Sequence, residues 1–310
     1  MSKGRRSTAR GFLWTLLWAS PALADERIAP QPDTVVLVGA GDIADCKTIT
    51  GAEATARLLD SIPGTVFTLG DHAYPDGTAR QFADCYDPTW GRHRARTRPA
   101  AGNHDYHTPG AASYFAYFGA VAGEPGKGYY SYDLGAWHVV VLNSNCDEVG
   151  CEAGSVQERW LRADLSAHRT ACSVAYWHRP RFSSGRHGGG LEMAALWQAL
   201  YEAGVELAIS GHDHDYERFA PQDAAGNLDR EHGMRQLVAG TGGKKTRRPS
   251  ETEPNSEVRA TGVFGVLKLT LSPGRYAWEF VPIPGETFKD SGTGTCHSGR
   301  TRVTSREGER

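Results

Sequence analysis

The 310-residue chain lacks a large charge of either sign. Its 34 lysines and arginines face 36 aspartates and glutamates, a formal charge of -2. Nucleic-acid binding draws on a basic surface that neutralises phosphates, and this balance offers no such platform. A long apolar run is also missing. The stretch Gly11-Phe12-Leu13-Trp14-Thr15-Leu16-Leu17-Trp18-Ala19 falls short of the roughly 20 residues that span a bilayer, and no later segment does better, so no transmembrane segment is expected. No Gly-x-Ser-x-Gly elbow is present, which argues against a serine hydrolase. The glycine-rich string Gly240-Thr241-Gly242-Gly243-Lys244-Lys245 lacks the Walker spacing and a following helix, and reads as a loop. No Cys-x-x-Cys pair exists, which weakens a zinc-cluster reading. Internal repeats and low-complexity blocks are absent.

The N-terminus has the order of a secretory signal peptide. Basic residues through Arg10 precede the apolar run, and Pro21 and the small-residue site Ala22-Leu23-Ala24 follow it. Cleavage after Ala24 and a secreted or periplasmic protein are expected; an uncleaved anchor is the rival reading. Six cysteines follow: Cys46, Cys85, Cys146, Cys151, Cys172 and Cys296. An even number in an oxidising compartment suggests disulfides whose pairing sequence alone leaves open. Cys146–Cys151 is the favoured pair, because it closes a short loop containing Gly150. The C-terminal arginines Arg300, Arg302, Arg306 and Arg310 are interrupted by Glu307 and Glu309, and read as a solvated tail.

From Asp33 on, strands and helices alternate. Strands are expected at Thr34–Val38, Thr65–Leu69, Trp137–Asn143, Ser173–His178 and Val205–Ser210, with helices over 51–62, 155–167 and 191–203. Beyond residue 233 the pattern turns to strands alone, at Arg235–Val238, Val263–Leu271 and Tyr276–Val281. Continuous apolar strands separated by helices imply sheets covered on both faces. The expected fold is α/β, a layered sandwich whose β-rich C-terminal part forms a second sheet or an extension. One domain is expected over 25–310, with core motifs in 35–220, a β-rich completion in 233–283 and a tail from 284. Residues 240–261 read as a long loop.

The chemistry-bearing residues sit where apolar strands stop. Asp42 follows TVVLVGAG, Asp71 follows TVFTLG, Asn103 follows PAAG, His178 ends SVAYW, and His212 and His214 follow ELAISG. In α/β sheets, ligand sites form beyond the carboxyl ends of strands, so these residues can converge. Singly, Asp42 or Asp71 reads as a helix cap, Asn103 as a turn residue and Tyr74 as a packed aromatic. Jointly, the carboxylates, imidazoles and amide suit iron, zinc or manganese. Their number exceeds what one ion needs and fits two ions roughly 3.5–4 Å apart.

The strings GDIAD, GDHAY, GNHD, AYWH and GHDH, in that order, resemble the calcineurin-like metallophosphoesterases. Most members carry a metal-binding histidine where this chain has Ala44, and a GDxxD string where it has GDHAY. A tyrosine in that string is the mark of purple acid phosphatases. The family likeness implies an α/β/β/α order of layers with mixed sheets. The resemblance implies one metal held by Asp42, Asp71, Tyr74 and His214, and a second held by Asp71, Asn103, His178 and His212. It implies ferric iron at the tyrosine site and a divalent iron, zinc or manganese ion at the other. It also implies that His104 contacts the substrate phosphate and assists the leaving group. His187, nine residues after His178, resembles a second such histidine, but Gly188 stands where plant members have another histidine. Asp105 and Asp215 are candidates to orient ligand imidazoles, and His72 to support the site. His107 is a candidate for the pocket rim. Arg179, Arg181 and Arg186 are either phosphate contacts or surface arginines, and His138, inside the strand WHVVV, reads as pointing outward or as satisfied.

The implied activity is hydrolysis of small phosphate esters by in-line attack of a metal-activated hydroxide, with no phosphoenzyme. A broad phosphomonoesterase is the leading expectation. A phosphodiesterase or nucleotidase on the same site is the enzymatic alternative, and an exported metal- or phosphate-binding protein is the non-catalytic one. Oligomeric state is not legible.

Overall fold

The computed structural model describes Met1 and residues 33–168, 172–245 and 251–297. The expected signal segment and the arginine-rich tail lie outside these residues. Two sheets face each other. The first runs, edge to edge, through Ser291–Thr295, Arg275–Pro282, Gly265–Ser272, Val35–Ala40, Thr65–Leu69 and Thr97–Ala100. The second runs through Ser256–Ala260, Tyr216–Phe219, Arg235–Ala239, Leu207–Ser210, Cys172–Tyr176, Trp137–Val141 and Tyr130–Leu134. A two-residue parallel ribbon pairs Ala44–Asp45 with Ala73–Tyr74.

Successive strand residues point to opposite faces, and here both faces are covered. Leu37, Phe67, Val139 and Ile209 enter the core between the sheets. Val38 and Val66 turn to an outer core with Ala52, Ala56, Tyr86 and Trp90. Val140 and Ala208 turn to the other outer core with Leu161, Trp197 and Leu200. Three cores between four layers make the α/β/β/α sandwich, and they explain why the central strands carry no polar alternation.

The helices follow from local rules. Thr50–Ser61 buries Ala52, Thr55, Ala56 and Leu59, one face at helical spacing. Val156–Ala167 starts where the Ser155 side chain accepts the Glu158 N–H, a cap that satisfies an otherwise orphaned donor. Ala194–Ala203 stops at Gly204, whose φ of 78° suits a left-handed C-terminal turn. The expected helix over 191–203 begins instead as a 3-10 turn, Leu191–Met193.

Two expectations are corrected in the C-terminal third. The stretch 240–261 contains the strand Ser256–Ala260, paired antiparallel with Tyr216–Phe219. An edge strand buries only part of its surface, so only Val258 and Ala260 of SEVRA turn to the inner core and its apolar signal is weak. The supposed tail from 284 contains the strand Ser291–Thr295, paired with Arg275–Pro282. Its glycines are required: a Cβ at Gly292 would lie 2.3 Å from the Trp278 ring, and one at Gly294 2.3 Å from Tyr276. Aromatic rings on the neighbouring strand cover this edge, and SGTGT itself has no apolar residue to announce it.

Three disulfides form: Cys46–Cys85, Cys146–Cys151 and Cys172–Cys296. The second is the pair expected from the short loop. The third ties the edge strand at 291–295 to the second sheet.

Candidate metal centre

The central strands of each sheet run parallel, so their carboxyl ends share one side of the sandwich. Asp42, Asp71 and Asn103 leave the first sheet there, and His178, His212 and His214 leave the second. Asp42, Asp71 and His212 hold left-handed φ values of 60°, 54° and 69°. Such backbones cost energy for residues with a Cβ and persist where the surroundings over-determine them, commonly at functional sites.

Tyr74, at the end of the short ribbon, is the hub. Its hydroxyl lies 2.7 Å from Asp42 Oδ1, 2.9 Å from Asp71 Oδ2 and 3.2 Å from His214 Nε2. His214 Nδ1 lies 2.9 Å from the Lys245 carbonyl. That carbonyl can only accept, so Nδ1 carries a proton; in the neutral ring Nε2 then presents a lone pair. The phenol has one proton for three acceptors. On the other side of Asp71, His178 Nε2 lies 3.0 Å from Asn103 Oδ1, 3.1 Å from His212 Nδ1 and 3.4 Å from Asp71 Oδ2. His178 Nδ1 is committed to the Leu69 carbonyl at 2.6 Å. All seven expected ligands therefore converge, with Asp71 in the middle.

The electrostatics register the same shortage of positive charge. Burial pushes the Asp71 and Asp42 carboxyls up, but the surrounding histidines outweigh it and hold both below the ordinary range: His178, His104 and His212 for Asp71, His214 and His178 for Asp42. Burial alone would keep His178 neutral; Asp71 and Asp42 pull it up to about 9. Its neighbour His212 is held down to about 2 by burial and by the charge on His178. Tyr74 is driven well above its ordinary value by burial and then by Asp42 and Asp71. A buried anionic cluster of this kind needs compensating charge, and its O and N donors are those that bind iron, zinc or manganese. The residues fit metal ions.

Asp105 does not orient a ligand imidazole as expected. Its Oδ2 accepts the backbone N–H groups of Gly102 (2.8 Å) and Asp71 (3.1 Å), and a ring nitrogen of His72 lies at 3.0 Å. It thereby joins the two loops that carry Asp71 and Asn103. His72 is fully buried beneath the site, with its Nε2 2.7 Å from the Thr68 hydroxyl. Asp215 also departs from expectation. It forms no hydrogen bond or ion pair with a histidine among the described residues, its Oδ1 is buried without a partner, and burial with Asp213, Glu217 and Asp42 pushes it up to about 8.

His104 stands beside Tyr74, and His187 stands beside His212. The His104 ring is 4.5 Å from the Tyr74 ring, its Nδ1 faces the Pro75 carbonyl, and its backbone N–H donates to Asp71 Oδ1 at 2.8 Å. The His187 ring lies 4.4 Å from that of His212. His107 is 4.6 Å from His104, at the rim. Arg179 lies 4.0 Å from Glu192, Arg181 covers the Phe182 ring, and Arg186 is exposed.

The glycine-rich string at 240–245 is the functional segment that sequence reading undervalued. The Gly242 and Lys244 N–H groups donate to the Gly41 and Asp42 carbonyls, each at 2.8 Å, and Lys245 supplies the acceptor that orients His214. Its signal was the glycines: a Cβ at Gly240 would meet Asp213 O at 2.0 Å, and one at Gly242 would meet Gly41 O at 2.5 Å. Only glycine allows backbone to approach backbone this closely.

A second His/Asp group, His138, Asp164 and His168, brings donor atoms within 4.8 Å of one another. Its imidazoles are stacked at 4.3 Å with an interplanar angle of 9°. Parallel rings cannot aim their in-plane lone pairs at one ion. The group is an ion-paired knot, with Asp133 and Asp164 each 2.8 Å from a nitrogen of buried His138.

A model of the Calcineurin-like phosphoesterase family matches residues 13–216, about two thirds of the chain. The chain belongs to this family. Among its relatives, Purple acid phosphatase 21 of Arabidopsis thaliana is 30% identical over 295 residues, covering 80% of this chain and 63% of that protein. A protein of Hordeum vulgare described as a nucleotide pyrophosphatase/phosphodiesterase is 26% identical over 263 residues, covering 70% of this chain and 68% of its own. The structure of purple acid phosphatase PPD1 from yellow lupin seeds superposes with a TM-score of 0.70 at 19% identity, over 86% of this chain and 55% of that one; this likeness establishes the fold alone. The chain is thus similar to purple acid phosphatases, and it spans less than two thirds of the length of Purple acid phosphatase 21.

Proposed function

We propose that this chain is an exported, dinuclear-metal phosphatase of the purple acid phosphatase type, acting on small phosphate monoesters. The observation that carries the reading is the Tyr74 hydroxyl, which meets two carboxylate oxygens and an imidazole nitrogen in one buried cluster. Asp42, Asp71, Tyr74 and His214 would hold ferric iron. Asp71, Asn103, His178 and His212 would hold a divalent iron, zinc or manganese ion. Such a pair supplies Lewis-acid activation of water and neutralises the phosphate's charge.

The chain's own residues would do the rest. Asp71 offers oxygens to both halves of the cluster and fixes their spacing. His104 directs its Nδ1 to the Pro75 carbonyl, which leaves Nε2 to hold the phosphate or pass a proton to the departing oxygen. His187, whose ring lies 4.4 Å from that of His212, would contact the phosphate from that side. No serine or cysteine is needed as nucleophile, so no phosphorylated enzyme forms. Trapping one, or finding that oxygen from labelled water does not enter the released phosphate in one step, would refute this. The three disulfides and the basic-then-apolar N-terminus support export.

Metal analysis and a visible spectrum of the purified protein beside Tyr74→Phe test the reading. Two metals per chain with a broad visible band, lost in the variant, are expected. Two metals without a band would remove the purple acid phosphatase assignment, and a protein that takes up no metal and hydrolyses no ester would remove the enzyme. The barley relative's description favours a second reading, a phosphodiesterase. Rates on bis- and mono-p-nitrophenyl phosphate separate the two.

A further inference from the structure

The Lys244 ammonium lies close to the Tyr74 ring. Its Nζ lies 4.4 Å from the ring centroid, over the face, and donates to Asp45 Oδ2 at 2.8 Å. Asp45 and Tyr74 are register partners in the short parallel ribbon, so the carboxylate beside the tyrosine holds the ammonium above it. The Lys244 backbone is held as well, by its N–H on the Asp42 carbonyl. The glycines of the preceding string let this backbone reach the site. The lysine's backbone and its ammonium are therefore both anchored on the segment that carries Asp42, beside Tyr74.

We propose that Lys244 is a positioning residue that sets the electron-donating strength of Tyr74. This rests on the reading of Tyr74 as a ligand of ferric iron. The alternative roles fit less well. A lysine that binds substrate phosphate would carry its charge to the anion, and this one is paired with Asp45 and lies over the ring face. A purely structural ion pair is mostly a weak stabiliser when partly exposed, and it has no need of a ring beneath it. A cation over an aromatic face is attracted by the ring's π electrons and lowers their energy. With the site loaded, moving an electron from ring to iron would then cost more, and the tyrosine would stabilise the ferric state less. The lysine thereby holds the visible band at shorter wavelength and the iron at higher reduction potential. Asp45 partly offsets the ammonium, so the two together set the field at the ring.

The test uses the metal-loaded protein and its K244M, K244R and D45N variants. It records metal content, the visible band and the reduction potential. In K244M, with both metals retained, the band should move to longer wavelength and the potential should fall. K244R keeps the charge and should return both toward wild type. D45N removes the opposing carboxylate and should move the band to shorter wavelength, which decides the matter if K244M loses metal or fails to fold. An unmoved band and potential in K244M, or equal shifts in K244M and K244R, would overturn the proposal and leave Lys244 a structural residue. Wild-type protein with two metals and no visible band would overturn the iron–tyrosine reading itself, an outcome seen before any variant is made.

Discussion

Asp105→Asn should damage the site without touching a proposed ligand. The carboxylate is fully buried. One of its oxygens accepts the Gly102 and Asp71 N–H groups, and His72 Nδ1 lies 3.0 Å from that oxygen and 3.2 Å from the other. An asparagine can keep one oxygen on the two backbone donors, but it loses the charge, and its amide N–H₂ then points at the His72 donors. Weakening two charge-assisted bonds and leaving one buried donor unmet costs about 2–4 kcal/mol of stability. The functional loss is separate. Gly102 and Asp71 belong to the loops that place Asn103, His104 and the shared carboxylate, so a loosened link should lower kcat/KM by roughly 10–100-fold, the usual range for partners behind a metal ligand. Urea unfolding gives the first quantity, and initial rates at saturating metal give the second. Activity within twofold of wild type in a variant destabilised by 2–4 kcal/mol would refute the link between this carboxylate and the site's geometry.

Other perturbations have equally definite outcomes. Stripping the metals should lower the melting temperature, and restoring them at roughly a thousand times Kd should return about 4 kcal/mol; because the cluster's carboxylates hold His178 protonated up to about 9, calorimetry in two buffers near neutral pH should register proton release on metal uptake, and none would contradict the charge accounting. The pKa of His138 is raised: burial opposes its charge, but Asp164 and Asp133 prevail. A raised folded pKa adds stability that is full below the unfolded value, about 6.5, and is lost as pH rises through the folded one. The urea midpoint gap between wild type and His138→Gln should therefore be wider at about pH 5.5 than at about pH 9, and a gap that widens with pH would refute the knot. Removing Cys172–Cys296, which spans 124 residues, should cost about 5 kcal/mol, against about 2 for Cys146–Cys151, on the chain-entropy account; a reversed order of unfolding midpoints would contradict it.

The two sheets and most of the proposed ligands were legible because their signals are local. Apolar strands covered on both faces announce themselves as unbroken β-branched runs. The polar residue that ends each run stands next to it in sequence, so TVFTLG and Asp71 are read together. Tyr74 by itself reads as a packed aromatic, and only the resemblance of the GDHAY string to purple acid phosphatases marked it. The edge strands Ser256–Ala260 and Ser291–Thr295 were not legible, because an edge strand is held by its partner's backbone and side chains rather than by its own apolar pattern. The Tyr276 and Trp278 rings decide that SGTGT is a strand, and nothing within those five residues does.

The amino-acid sequence by itself determined the layered α/β fold, the order of the motifs and the short-range disulfide, all properties of neighbours in the chain. Tertiary structure alone decided which distant groups share a proton or a charge. It placed Asp105 on two loops and His72 instead of on a ligand, and joined Cys172 to Cys296. It also laid a lysine from an unpromising loop over the tyrosine. Such contacts depend on where chain closure brings backbones together, and no local pattern of residues encodes that position.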